Sequence, residues 1–221
     1  TLFVIPYLRD KVKTPVIFSG VNKDPAAYGY PASNITGVLE VVHFRESIMF
    51  LQQIVPSIRT IGYIMKYSPT AKGYLRQFKN ESNTYPAKSL DFKLPKTFEE
   101  AIEMTKQFRS QCDALFIGPM VGIPDTKGKP LSDTDVIPVL AKTFGKPTFC
   151  ANEPQVEMGV LCAIIKTAEE QGTLPAEMLL KAMNGTPVSE FPIIRNKKGK
   201  AILNITVMKS LGIRPQPTAL Q

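Results

Sequence analysis

The chain has 221 residues, of which 43% are hydrophobic, and its 27 basic and 19 acidic side chains give a formal net charge of +8. This length supports one large hydrophobic core or two smaller ones. No apolar stretch approaches the roughly 20 residues of a membrane helix, which excludes a membrane-spanning helix in this segment. Because the sequence starts at Thr1 rather than Met, we expect it to derive from a longer precursor.

The residue pattern alternates between short apolar runs and amphipathic stretches. In chain order, the predicted helices are 2–13, 44–55, 69–80, 98–111, 134–144, a stretch around 166–172, 175–183 and 205–211, with Cys162 at the start of a helix. The predicted strands are 16–19, 35–39, 60–65, 87–94, 114–118, 147–150, 192–194 and 201–204. Four of the strands are apolar on both faces, as expected of a parallel sheet covered by helices on both sides. The fold class predicted from this alternation is α/β.

Candidate ligand-binding residues follow these four strands, because parallel α/β sheets bind ligands beyond the carboxyl ends of their strands. A helix N-terminus near the start of the chain adds a further candidate, since its free amides attract a carboxylate. The predicted ligand-binding residues are Thr1, Asn22, Asp24, Tyr67, Ser68, Met120, Asn152 and Glu153.

Each candidate also has a purely structural interpretation. Thr1 and Ser68 are good helix N-caps, and Asn22 and Asp24 suit a turn that their own side chains stabilise. The Asn152–Glu153–Pro154 step favours a functional role, because its polar groups are costly to bury without partners.

Sequence motifs of enzymes and cofactor sites are missing. The segment 122–130 resembles a phosphate-binding loop but has the wrong spacing, and neither GxGxxG nor GxSxG occurs. The single histidine, His43, precludes a histidine metal cluster and suits a helix cap or hinge better than catalysis. The chain is therefore predicted to be a binding protein, not an enzyme, with no cofactor and no metal.

Charge and cysteine content add little. The basic run 195–200 has no interleaved aromatic residues and no nucleic-acid reader motif, so it is interpreted as a solvated turn with no nucleic-acid partner. Cys112, Cys150 and Cys162 lack CxxC spacing and are predicted to be small buried hydrophobes, in preference to a Cys150–Cys162 disulfide.

Several segments resemble one known family in the same order. PVIFSGVNKDP (15–25), followed by PASNITGV (31–38), resembles the signature of ABC-transporter substrate-binding proteins of the TrpX-like type. The tail NITVMKSLGI (204–213) resembles that family's closing segment, and the similarity extends over essentially the whole chain. Met120 and Thr167 depart from the family pattern at positions that are more often polar or Asp, which suggests a less polar ligand.

The resemblance implies a two-lobed type I periplasmic-binding-protein fold with parallel sheets flanked by helices, closing on a ligand between the lobes. It assigns 1–38, with part of 159–221, to a first lobe that lacks its opening strands, and 39–158 to the second lobe. The rest of 159–221 would supply crossover helices and a C-terminal segment.

The function implied is capture of a small organic ligand, such as an amino acid or an aromatic compound, for an ABC permease. The location implied is the periplasm or the extracellular face, as a free protein or a lipoprotein, with no membrane insertion of this segment. A sensory ligand-binding domain coupled to a signalling partner is the alternative. An α/β enzyme is a third and less favoured class.

Overall fold

The computed structural model describes residues 4–10 and 13–214. Among these residues, the α-helices are α1 (Val4–Tyr7), α2 (Phe44–Ile54), α3 (Pro69–Glu81), α4 (Phe98–Gln111), α5 (Asp133–Phe144), α6 (Glu153–Glu157), α7 (Ala168–Met183) and α8 (Ile205–Ser210). The strands are β1 (Val16–Val21), β2 (Ile35–Leu39), β3 (Thr60–Ile64), β4 (Lys88–Lys93), β5 (Ala114–Ile117), β6 (Ile123–Pro124), β7 (Pro130–Leu131), β8 (Thr148–Cys150), β9 (Cys162–Lys166), β10 (Ile194–Arg195) and β11 (Gly199–Leu203).

The chain divides into two compact units. Unit 1 contains the chain up to Val41 together with Lys166–Lys198, and unit 2 contains Val42–Ile165 together with the chain from Gly199 onward. The sequence-based boundaries at residues 38 and 158 differ from these, and the lobe roles attached to them stay predictions. The chain passes from one unit to the other three times.

Unit 2 is built on a six-stranded sheet with the order β11-β9-β8-β5-β3-β4. The pairs β9–β8, β8–β5, β5–β3 and β3–β4 are all parallel. Ile64 at the end of β3 lies opposite Ile117 at the end of β5. The loops that follow β3, β5 and β8 therefore leave the sheet at the same edge.

Helices cover both faces of this sheet. One apolar cluster joins Tyr63, Phe116 and Phe149 of the strands to buried residues of α2 and α3. A second cluster joins Ile64 and Ile117 to buried residues of α4, α5 and α6. Since successive strand residues point to opposite faces, this two-sided burial explains why the strand sequences are apolar throughout. The α/β prediction is confirmed.

Unit 1 contains a three-stranded sheet with the order β1-β2-β10, in which both pairings are parallel. Helix α7 packs against β1 and β2. Strand β2 is the best buried of the three, whereas every residue of β1 is partly or fully exposed. The hydroxyl of Thr36 on β2 donates to the carbonyl of Phe191, 3.0 Å away, and so ties β2 to the segment before β10.

Two predicted elements were wrong, one in extent and one in type. The helix predicted over 2–13 is only the single turn Val4–Tyr7 among the described residues. Cys162 begins strand β9 rather than a helix. The run Cys162–Lys166 is short and apolar, so hydrophobic periodicity alone is compatible with either a helix or a strand. Parallel pairing with β8 stabilises the strand.

The two helices predicted around 166–172 and at 175–183 form one continuous helix, α7, which contains Pro175. Pro175 has no N–H, so the carbonyl of Gln171 loses its usual helical partner. The hydroxyl of Ser19 donates to that carbonyl instead, at 2.6 Å. This bond from β1 satisfies the group that the proline leaves open, and the helix continues through it.

The predicted loop 122–131 contains a small antiparallel hairpin, in which Ile123 pairs with Leu131 and Pro124 with Pro130. Among the described residues, no helix is both long and apolar enough to cross a membrane.

Candidate functional site

In unit 1 the most informative predicted residue is Asn22, which directly follows β1. Its side-chain oxygen Oδ1 is buried and has no hydrogen-bond partner among the described residues. Buried polar atoms almost always have a partner, so an open acceptor needs an explanation. Its position at the carboxyl end of a parallel strand is where a ligand would supply that partner.

Asp24 has a structural role. Its Oδ1 accepts a hydrogen bond from the amide of Ala26 at 3.0 Å and caps the short 3-10 helix Pro25–Tyr28. The turn interpretation of this residue therefore describes its geometry. A ligand contact of Asp24 stays a prediction.

Three polar residues near the ends of β1 and β2 were missed by sequence reasoning. Glu40 and Lys166 form an ion pair, and each side chain is 20% exposed. Oε1 of Gln171 accepts a hydrogen bond from the amide of Gly20 (3.1 Å) and lies 2.9 Å from the hydroxyl of Ser19, which shares its single proton between Oε1 and the carbonyl of Gln171. The available signal was their position, because Glu40 directly follows one apolar run and Lys166 ends another.

In unit 2, Tyr67 and Ser68 follow β3. The hydroxyl of Ser68 accepts from the amide of Ala71 at 3.0 Å and caps α3, as the structural interpretation of the sequence predicts. Tyr67 is 46% exposed, and the ammonium group of Lys72 lies 5.2 Å from the centre of its ring. An aromatic ring exposed at this edge of the sheet can form one wall of a binding site.

The loops after β3 and β5 are tied together by Lys66. Its Nζ donates to the carbonyl of Val121 at 3.0 Å, and its backbone amide donates to the carbonyl of Pro119 at 3.3 Å. The side chain of Val121 is 61% exposed. This edge of unit 2 therefore carries two exposed apolar side chains, Tyr67 and Val121, on a braced pair of loops.

The side chain of Met120 points away from this edge. It is fully buried in the cluster with α5, and its amide donates to the carboxylate of Asp133 at 2.6 Å. Because the thioether has no exposed surface here, Met120 fills the core beneath the loop rather than lining a site. Its prediction as a direct ligand contact is not supported by this geometry.

Asn152 and Glu153 follow β8. Asn152 stands at the N-cap of α6 without a side-chain capping bond, and its Nδ2 donates to Oε1 of Gln155 at 3.4 Å. Gln155 is 2% exposed and donates to the carbonyl of Ile117 at 3.3 Å. Glu153 is exposed, so it carries no burial cost. Thr1 lies outside the described residues.

A cavity of about 520 Å³ in unit 1 lies away from these candidates, against Asp10, Lys13 and Asn34. The polar groups of Asn34 are already used there. Its Nδ2 donates to the carbonyls of Leu8 and Thr14, and its Oδ1 accepts from the amide of Asp10. The side-chain amide of Asn34 is therefore already engaged within unit 1.

The three cysteines are free and buried. Burial raises the pKa of the Cys112 thiol to about 11 and that of Cys150 to about 12. Thiols of such high pKa stay protonated at neutral pH and are poor nucleophiles. Cys150 and Cys162 belong to the clusters on opposite faces of the sheet, which explains the free thiols. Among the described residues, no group of three His, Cys, Asp or Glu side chains is placed to hold a metal ion.

The fold resembles that of several solved structures. One is an ABC domain from Streptococcus pneumoniae in complex with L-Trp, with 20% identity, a TM-score of 0.65, and coverage of 93% of this chain and 69% of that one. Another is the ligand-free, open form of CD0873, a substrate binding protein with adhesive properties from Clostridium difficile, with 21% identity, a TM-score of 0.70, and coverage of 92% and 68%.

A third is a LacI family transcriptional regulator from Arthrobacter sp. FB24 in complex with lactose, with 14% identity, a TM-score of 0.52, and coverage of 91% and 80%. These likenesses establish a type I periplasmic-binding-protein-like α/β fold, which transport proteins and regulators share. The fold prediction is confirmed, and function needs a second argument.

That argument comes from sequence. Comparison with curated proteins gives no match. The model of the ABC transporter substrate binding protein family matches residues 8–220. This range covers nearly the whole chain, so the chain belongs to the ABC transporter substrate binding protein family.

Proposed function

We propose that the chain binds a small organic molecule outside the cytoplasm and presents it to an ABC permease, without chemical turnover. Family membership supports binding over catalysis and transport over the sensory alternative. The periplasm or the outer surface of the cytoplasmic membrane is the proposed location, as a free protein or a lipoprotein.

The observation that carries the proposed binding site is the open acceptor of Asn22. A ligand group that donates a hydrogen bond, such as an ammonium, a hydroxyl or an indole N–H, would satisfy its Oδ1. The proposed ligand is therefore a small organic molecule with at least one hydrogen-bond donor.

L-Tryptophan is a suitable first probe, because its ammonium and indole N–H groups are hydrogen-bond donors and it is the ligand of one structural neighbour. The chain has no tryptophan, so all indole fluorescence in a titration comes from the ligand. Isothermal titration calorimetry against tryptophan, tyrosine, phenylalanine, indole and leucine would separate the need for an amino acid group from the need for an aromatic ring.

The site is tested by Asn22→Ala. A lost hydrogen bond to a charged donor contributes about 1.5–3 kcal/mol, so we expect the dissociation constant to rise by at least about tenfold. Asn80→Ala removes an exposed asparagine from α3 and is the matched control, with affinity unchanged. Equal affinities of Asn22→Ala and the unsubstituted protein would refute the site. Failure of every probe to bind would refute the proposed ligand class.

A further inference from the structure

A cavity of about 350 Å³ lies within unit 2, and all of its lining residues belong to that unit. One of them is Thr148, the first residue of β8, whereas the candidate Asn152 lies beyond the last residue of the same strand. The cavity and the candidate ligand-binding residues of unit 2 are therefore at opposite edges of the sheet. Pockets for small organic ligands occupy about 300–1,000 Å³, a range that includes this volume.

Four half-buried apolar side chains line the cavity. Ala141 of α5 and Met158, which follows α6, pack against the apolar cluster on one face of the sheet. Val207 of α8 and Leu211, which follows α8, pack against the cluster on the other face. Gly159 also lines the cavity, and no atom lies within 4 Å of the position that a Cβ would take there. The cavity is thus an open space with apolar walls, located where the two faces of the sheet meet beyond its edge.

Two lysines give this space a positive charge. Lys142 is exposed in the last turn of α5, and Lys146, which follows α5, is half-buried. The ammonium group of Lys146 donates one proton to the carbonyl of Cys112, 3.0 Å away, which leaves it two further donors. Neither lysine forms an ion pair with a described residue. The nearby carboxylate of Asp113 already accepts hydrogen bonds from two amides and a hydroxyl.

Thr148 adds a buried hydrogen-bond donor. Its side chain is 2% exposed, and its Oγ1 accepts from the amide of Leu161 at 3.2 Å. The hydroxyl proton has no acceptor among the described residues. Since Lys146 and Thr148 both line the cavity, a carboxylate placed between them would accept a hydrogen bond from each.

We propose that this cavity is a second ligand site, which takes a small amphiphilic carboxylate. The carboxylate of the ligand accepts hydrogen bonds from Lys146 and Thr148, and its apolar chain lies against Ala141, Met158 and Leu211. Burial of the chain supplies affinity, and the ammonium group selects an anion over an uncharged head group. The site is independent of the proposed function, because every residue that it uses lies away from the candidate ligand-binding residues.

The two lysines also suit the C-terminal end of α5, where positive charge stabilises a helix. A purely structural role of this kind predicts no preference between a charged and an uncharged ligand of the same shape. Octanoate and octanamide are therefore suitable probes, since they have the same chain and differ in the charge of the head group.

The site is tested by titrating the ¹⁵N-labelled full-length chain with each probe and following its amide chemical shifts. We expect octanoate to shift the amides of Gly145, Lys146, Gly159 and Leu211, and to bind at least about tenfold more tightly than octanamide. Absence of shifts at these residues would overturn the site. Equal affinities for the two probes would overturn its selectivity for a carboxylate.

The role of the charge is tested by Lys146→Met, which removes the ammonium group and keeps an unbranched side chain. We expect the dissociation constant of octanoate to rise by about tenfold and that of octanamide to stay unchanged. Lys79→Met is the matched control, because it removes the same charge from an exposed position in the last turn of α3. An equal loss in both variants would show that net charge alone attracts octanoate, and would overturn the contact with Lys146.

Occupancy of the cavity is tested by Ser210→Phe. Ser210 is exposed at the end of α8 and lines the cavity, so a phenylalanine there fills the space without replacing a core residue. We expect octanoate binding to be lost, whereas Thr206→Phe, at an exposed position of α8 outside the cavity, should retain it. The amide spectrum of each variant also reports whether the fold is kept. Unchanged octanoate binding in a folded Ser210→Phe variant would overturn the proposal. The effect of Asn22→Ala on tryptophan binding bears only on the proposed function, because Asn22 lies in unit 1.

Discussion

The interiors of the two units are stabilised by different kinds of interaction. Both buried apolar clusters found in the described residues lie in unit 2, one on each face of its sheet. In unit 1, strand β1 is partly exposed along its whole length. Four buried polar residues there connect segments far apart in sequence: Asn34, Thr36, Glu170 and Asn196.

The two kinds of interaction have different consequences for stability. Apolar burial is non-directional and roughly proportional to area, so it stabilises unit 2 without fixing each contact. Hydrogen bonds are directional and costly to leave unmade once buried, so they fix backbone positions in unit 1. Substitutions in the core of unit 2 should therefore change global stability. Substitutions of buried polar residues in unit 1 should act locally.

The largest effect is expected from Phe116→Ala in the core of unit 2. Phe116 is fully buried, and its ring centre lies 4.9 Å from that of Phe44 and 5.3 Å from that of Phe149. Removing such a ring costs about 3–5 kcal/mol of unfolding free energy, through lost transfer energy and the cavity that remains. Urea unfolding monitored by circular dichroism measures it.

The control is Val139→Ala on α5, where the side chain is 39% exposed. It should change the unfolding free energy by less than about 0.5 kcal/mol. If Phe116→Ala cost as little as this control, the contrast between an apolar unit 2 and a polar unit 1 would fail.

A smaller and local effect is expected from Glu170→Ala in unit 1. The substitution removes the buried carboxylate that accepts hydrogen bonds from the amides of Lys197 and Lys198, and the loss of these bonds to a charged acceptor should cost about 2 kcal/mol. Amide exchange should accelerate at these two residues while the strands of unit 2 keep their protection.

Glu169→Ala is the matched control, because Glu169 is the exposed neighbour in the same first turn of α7. It changes the same charge near the helix N-terminus without touching the two amides. Equal exchange rates in both variants would mean that helix-dipole charge, rather than the hydrogen bonds to Lys197 and Lys198, matters at this position.

The apolar strands and local helix caps can be predicted from the sequence, whereas the long-range polar hydrogen bonds cannot. The central strands β3, β5 and β8 are predictable because burial on both faces leaves continuous apolar runs. The caps at Ser68 and Thr97 are predictable because each bond spans only three residues. Gln77 accepts a hydrogen bond from the amide of Val42, 35 positions away, and Asn196 accepts one from the amide of Val41, 155 positions away. No local sequence pattern predicts these bonds.

The candidate site shows the same limit. Position after a strand correctly brings Tyr67 and Asn152 to one edge of the sheet of unit 2, since β3, β5 and β8 are parallel neighbours. Whether a side chain there is available to a ligand depends on tertiary packing. Asn22 and Met120 both follow an apolar run in the sequence. Among the described residues, however, Oδ1 of Asn22 has no hydrogen-bond partner, whereas Met120 is buried in the apolar cluster with α5.

A pH-dependent effect is expected from Asp113→Asn in unit 2. Burial of the Asp113 carboxylate raises its pKa, but hydrogen bonds from the amides of Arg59 and Thr60 and from the Thr60 hydroxyl outweigh this and leave it below its ordinary value of 3.8. The contribution is therefore present above that value and is lost as the pH falls through the lower, folded-state pKa.

At neutral pH we expect Asp113→Asn to cost about 1.5 kcal/mol, with the difference shrinking in acid as the native carboxylate protonates. Urea unfolding at a series of pH values measures it. Asp91→Asn, at an exposed position, should show no such convergence. A pH-independent cost at Asp113 would show that the shape of the side chain, rather than its charge, stabilises its contact with Arg59 and Thr60.

The smallest effect is expected at the start of α5. The Ser132 hydroxyl accepts from the amide of Asp135 at 3.2 Å, and the Asp135 carboxylate accepts from the amide of Ser132 at 2.9 Å. Ser132→Ala should cost about 1 kcal/mol, and Ser132→Thr should restore most of it because it retains the hydroxyl. Thermal unfolding measures both, and equal losses in the two variants would rule out the capping bond as the cause.

Because α5 is anchored by fully buried Leu140 and Phe144, loss of the cap should accelerate amide exchange in the first turn but not at Leu140. Faster exchange at Leu140 as well would mean that the apolar cluster depends on this polar bond, and that the two kinds of interaction are not separable even in unit 2.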